Sequence, residues 1–107
     1  MTPDPLSIKL QALADPTRRA MLARLRRGEA TVNDLAAPFS MSLPAISRHI
    51  KVLEKAGLIT RTHVAQQRPC RLSSDGLREV DEWLNVYREQ WQERLDRLEN
   101  YIKTIKE

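Results

Sequence analysis

One cysteine, one phenylalanine and three glycines in 107 residues exclude several classes of protein at once. A lone thiol, Cys70, makes no internal disulfide and no thiolate metal cluster, so the fold must stand on its apolar core. No glycine-rich phosphate loop occurs, and no HExxH. Serine, histidine and aspartate are present, but no spacing marks them as a triad, and the carboxylates of the C-terminal third fit a solvated helix face. An enzyme is therefore not expected. No apolar run approaches the roughly 20 residues that span a bilayer. The N-terminus MTPDPLSIKL lacks the basic start and apolar stretch of a secretion signal. A cytoplasmic protein without a membrane partner is expected.

Positive charge is plentiful but uneven. The net charge is +4. Residues 1–73 carry +7 and residues 74–107 carry −3. A basic body joined to a mildly acidic tail implies two surfaces with different jobs, the basic one a candidate for phosphate contact.

Start and stop residues divide the chain into helices and one hairpin. Leu6, Leu10 and Leu13 recur at helical spacing after Pro3 and Pro5. Asp15-Pro16 starts a second helix, which Gly28 ends. Thr31, with Asp34 three positions on, starts a third that Pro38 stops. Ser42 starts a fourth, running to about Lys55 with Pro44 in its first turn. Its Ile46, Ile50 and Leu53 form one apolar face, and Ala56-Gly57 ends it. LITRTHV, residues 58–64, alternates like a strand and returns through Pro69-Cys70-Arg71-Leu72. Ser73 or Ser74 then caps a last helix of about 30 residues. Its apolar stripe runs Leu77, Val80, Leu84, Tyr87, Trp91, Leu95, Leu98, Ile102 and Ile105. Such a helix extends roughly 45 Å, too far for a small domain to cover, so a second copy should meet it.

The predicted fold class is mainly α with a small β-hairpin wing: a winged helix-turn-helix of four helices, a hairpin and a long fifth helix. One domain over 1–107 is expected, with a DNA-binding body at 6–73 and a dimerisation helix at 74–107. The helix from Ser42 buries one side and leaves hydrogen-bonding and cationic groups on the other. A helix fits the major groove, where arginine reads guanine and serine contacts several base edges. Arg61, His63, Gln67 and Arg68 in the hairpin suit the adjoining backbone or minor groove. Double-stranded DNA is the expected partner. The expected interface between copies on the last helix is Leu84, Tyr87, Trp91, Leu95, Leu98 and Ile102. A winged-helix module that binds protein through Trp83, Tyr87 and Trp91 is the alternative.

The stretches ALADPTRRAMLARLRRGEATVNDLA, MSLPAISRHIKVLEKAGLI and TRTHVAQQRPCRL resemble the bacterial ArsR-type regulators over about residues 10–72. The resemblance implies homodimeric repressors on palindromic operators, with the first and last helices paired, which adds Leu6, Leu10 and Leu13 to the expected interface between copies. It places Ser42, Ala45, Ser47, Arg48 and His49 on the recognition helix, where Pro44 and Lys51 are expected to join them at the DNA. Metal-sensing members carry cysteines before the recognition helix, or Asp and His ligands along the last one. Here VNDLAAPFS has no cysteine and the last helix has no histidine. The chain is thus similar to the metal-independent branch. No metal and no cofactor are expected, and an unidentified small molecule is left as the candidate effector.

Overall fold

The computed structural model describes residues 4–62 and 66–106. Five helices and a hairpin follow the expected order: α1 (Pro5–Leu13), α2 (Pro16–Leu25), α3 (Val32–Ala36), α4 (Leu43–Lys55), β1 (Ile59–Arg61), β2 (Cys70–Leu72) and α5 (Arg78–Lys106). The chain divides into two compact units, one ending at Leu77 and one beginning at Arg78.

Each of the first four helices begins with a side chain that accepts a free backbone N–H. Asp4 accepts from Ser7 at 2.8 Å, and Asp15 accepts from Arg18 at 3.0 Å. Proline follows both aspartates, where a missing N–H costs nothing. Thr31 and Asp34 exchange bonds of 3.1 Å in each direction, the reciprocal capping box. Ser42 accepts from Ala45 at 3.3 Å. At the other end of α4, Gly57 turns left-handed at φ 79°. Its N–H reaches Glu54, and the N–H of Leu58 reaches Leu53, both at 3.0 Å. This is the Schellman closure, which delivers Leu58 and Ile59 into the core.

The second turn of the chain is held by arginines. Beyond the last turn of α1 few backbone donors remain for its final carbonyls, with the Ala14 N–H reaching that of Gln11 at 3.2 Å. Arg18 donates to the carbonyls of Ala12 at 2.7 Å and Gln11 at 3.0 Å, and Arg19 donates to that of Leu13 at 2.7 Å. Residues 15–19 thus begin α2 and cap α1 at the same time.

Met21, Leu35, Ile46, Ile50, Leu53, Ile59 and Cys70 are the largest fully buried side chains. The hairpin pairs antiparallel, Ile59 with Leu72, Thr60 with Arg71 and Arg61 with Cys70. Ala30 and Cys70 exchange two backbone bonds of 3.0 and 2.8 Å, which tie β2 to the segment before α3. Within the strand expected over 58–64, the ladder covers Ile59–Arg61 and the Thr62 N–H still reaches the Pro69 carbonyl at 3.0 Å, while His63 and Val64 lie outside the described residues.

The final helix also starts later than the 74 expected from serine capping. Residues 74–77 form turns. Gly76 explains why: a Cβ there stands 2.8 Å from the carbonyl oxygen of Gly57, so this segment is pressed against the end of α4. The Gly76 carbonyl is engaged by the Lys9 ammonium at 2.7 Å. Lys9 is 8% exposed and sits on the inner side of α1, a buried cation that helical spacing alone does not reveal.

The cap carboxylates of Asp4, Asp15 and Asp34 all sit below the usual aspartate value, chiefly because of the backbone N–H groups of Ser7, Arg18 and Thr31. Their charged forms are favoured in the folded state, so their contribution is present above the unfolded value of 3.8 and is lost as pH falls through the lower folded values. The melting temperature should drop below about pH 4. Replacing all three by asparagine, which caps without titrating, should flatten that drop in thermal melts from pH 5 to pH 2.

Candidate nucleic-acid interface

Helix α4 sorts its residues by side. Ile46, Ile50 and Leu53 are buried. At roughly 100° per residue, the opposite ridge consists of Pro44, Arg48, Lys51 and Lys55. All four are exposed. Three of its four residues are cationic. Lys55 was not among the residues singled out from sequence, although its spacing of seven from Arg48 places it on the same side.

The other expected residues lie on the flanks or the first turn. Ser42 is spent on the helix cap, where it accepts from Ala45, and this leaves its hydroxyl as a shared group. Ala45 and Ser47 are half-buried. His49 is half-buried too and turns toward the start of α2. Its Nδ1 lies 3.2 Å from Nη1 of Arg18 and 4.0 Å from the Asp15 carboxylate. The ring therefore stands beside the ridge that carries Arg48.

In the hairpin, Gln67 and Arg68 are exposed, and Arg61 is half-buried. Arg61 donates through Nε to the carbonyl of Arg68 at 3.2 Å across the hairpin. Arg68 adopts φ 39°, a left-handed turn residue. His63 lies outside the described residues. Cys70 is fully buried at 0% exposure. Burial pushes its thiol up, against the opposing charge of Arg61. A protonated, enclosed thiol is a poor nucleophile.

The expected contact residues between copies divide as well. Leu13 packs against the core, so it contributes to the body's own stability. Leu6 is half-buried and Leu10 exposed on α1. On α5, Leu84 is half-buried, and Tyr87, Trp91, Leu95, Leu98 and Ile102 are exposed. Trp83 stands edge-on to Tyr87 with ring centroids 5.3 Å apart. Arg88 pairs with Asp81 at 2.7 Å, on the same helix.

Arg48 is the long donor on the ridge closest to the α4 N-terminus. Arg48→Ala should weaken binding to a preferred duplex by about 1–3 kcal/mol and relax its preference at one base pair. Fluorescence anisotropy against single-base variants of that duplex measures both effects.

Comparison with known proteins agrees with this geometry. The family described as a helix-turn-helix domain matches residues 13–62. The HTH-type transcriptional regulator Rv2034 of Mycobacterium tuberculosis is 43% identical over 67 residues, which span 63% of each chain. The chain thus matches just under two thirds of that relative's length. The transcriptional repressor SdpR of Bacillus subtilis is 34% identical over 69% of this chain and 82% of its own. A crystal structure titled ArsR family transcriptional regulator, RHA00566, superposes with TM-score 0.76 at 44% identity, covering 83% of this chain and 98% of that one. With its winged helix-turn-helix fold and its similarity at this level to regulators over most of their length, the chain belongs to the ArsR family of transcriptional regulators.

Proposed function

We propose that this chain works as a homodimeric, sequence-specific repressor that holds a palindromic operator with α4 in the major groove. The observation that carries the reading is the exposed ridge of Pro44, Arg48, Lys51 and Lys55, set opposite the buried Ile46, Ile50 and Leu53. A helix anchored by one side and cationic on the other matches the width and charge of that groove. Arg48 reads base edges, and Ala45 and Ser47 make the closer contacts beside it. Lys51 and Lys55 neutralise phosphates. Arg61, Gln67 and Arg68 follow the backbone next to the site. The reading is non-catalytic, and the relative named a repressor supports the direction of control.

Dimerisation follows from α5. Its outward apolar stripe, with Trp91 at 61% exposure, is too costly to leave in water along a helix of about 43 Å. A second copy covers it, with Leu6 and Leu10 of α1 adding to the contact. The half-sites of such an operator lie about 34–36 Å apart, one DNA turn, and each takes one α4.

Affinity for duplex DNA should fall steeply between 50 and 200 mM salt, by about 10³-fold or more if six phosphates are neutralised. A flat response on every genomic fragment would instead favour a protein-binding module. Trp91→Glu combined with Leu98→Glu should convert the dimer to monomer in sedimentation velocity runs. A folded dimer surviving both changes refutes the α5 pairing. Control is proposed to be metal-independent, because neither α3 nor α5 carries the cysteine or histidine ligands of metal-sensing members. Stoichiometric zinc, cadmium or arsenite should leave the complex bound in a mobility-shift assay.

A further inference from the structure

The contacts of His49 constrain the chemistry of its ring. Arg18 is 3.2 Å from Nδ1. A guanidinium has five donors and no acceptor. Nδ1 must therefore offer its lone pair, and the ring proton resides on Nε2. The Asp15 carboxylate, 4.0 Å away, is the other charged group facing the ring, and it already accepts from the Arg18 backbone. Nε2 has no protein partner among the described residues. It also keeps access to solvent, since among the described side chains only Thr62 has a buried polar atom without a partner. On α4, His49 lies roughly 100° around the helix from Arg48. When such a helix lies in the major groove, its flanks face the two phosphate strands.

We propose that Arg18 is a positioning residue that selects the Nε2–H form of His49, and that this N–H donates an uncharged hydrogen bond to a backbone phosphate of bound DNA. The proposal rests on the DNA-binding reading above. It moves His49 from base readout to grip. Arg18 is already fixed by the carbonyls of Gln11 and Ala12, so the donor is aimed before DNA arrives. A pre-aimed donor loses little entropy on binding. An uncharged donor also adds nothing to counterion release, so it leaves the salt dependence unchanged.

The test separates the two ring nitrogens. His49→Asn keeps an acceptor near the position of Nδ1 and deletes the Nε2 donor, whereas His49→Gln reaches the Nε2 position. Binding of the full chain is measured on a duplex enriched from random sequence and on calf-thymus DNA, at several salt concentrations, with melting temperatures alongside. Failure to enrich any duplex counts against the DNA reading itself and is distinct from the outcomes that follow. His49→Asn should weaken binding to both DNAs by about tenfold, the range of one lost hydrogen bond to a charged group, at unchanged salt slope and melting temperature. His49→Gln should stay within about twofold of the parent, since it keeps the donor. Loss confined to the enriched duplex makes His49 a base reader and overturns the proposal. No loss on either DNA makes it a packing residue and does the same, and a shallower salt slope shows a cationic ring. An independent readout needs no DNA: ring ¹⁵N spectra of the free protein at pH 7.5 should show His49 as Nε2–H. A dominant Nδ1–H form overturns the role of Arg18. So does an Arg18→Gln variant that remains folded with the His49 ring resonances unmoved.

Discussion

The guanidinium of Arg18 joins three parts of the body through one side chain. It takes two of the carbonyls that end α1, stands in the first turn of α2, and meets the ring of His49 on α4. Its own backbone N–H satisfies the Asp15 cap. Planar, multiply donating geometry is what this junction needs, and a lysine has the charge without the fork. The orientation of α4 relative to α1 therefore depends on a polar contact as well as on the apolar core. Because α1 and α4 carry the proposed dimer and DNA contacts respectively, one residue links the two surfaces.

Much of this was legible in the sequence. Asp15-Pro16, Thr31 with Asp34, Ser42 and Gly57 each announce a helix end, and each makes the predicted contact or turn, because caps are local and need nothing from the rest of the fold. The apolar spacing of Ile46, Ile50 and Leu53 identified the inner side of α4 for a similar reason. What escaped depends on distant partners. Lys9 reads as a surface lysine until Gly76 arrives from 67 positions away. Leu13, expected between copies, also packs against the core. The contact of His49 with Arg18, 31 positions earlier, leaves no sign in the linear pattern. The late start of α5 is of the same kind, since Gly76 must press against Gly57 before the helix begins.

The two units differ in how they are stabilised. The body up to Leu77 has a buried apolar core of its own, although it is small enough that every cap and arginine bond matters. Helix α5 keeps most of its apolar stripe in water and its charges in pairs along its own surface, such as Arg88 with Asp81 and Lys103 with Glu99. Exposed pairs of this sort contribute little to stability. The helix is amphipathic without a cover of its own, which is the physical reason to look for a second chain.

Cys70 sits where β2 meets Ala30, enclosed and flanked by two main-chain hydrogen bonds. A thiol reagent in solution reaches it only when the base of the wing opens. The rate of labelling under native conditions is thus a clock for that opening, separate from unfolding of the helices. The chain has no other thiol, so the signal comes from a single place without any engineering.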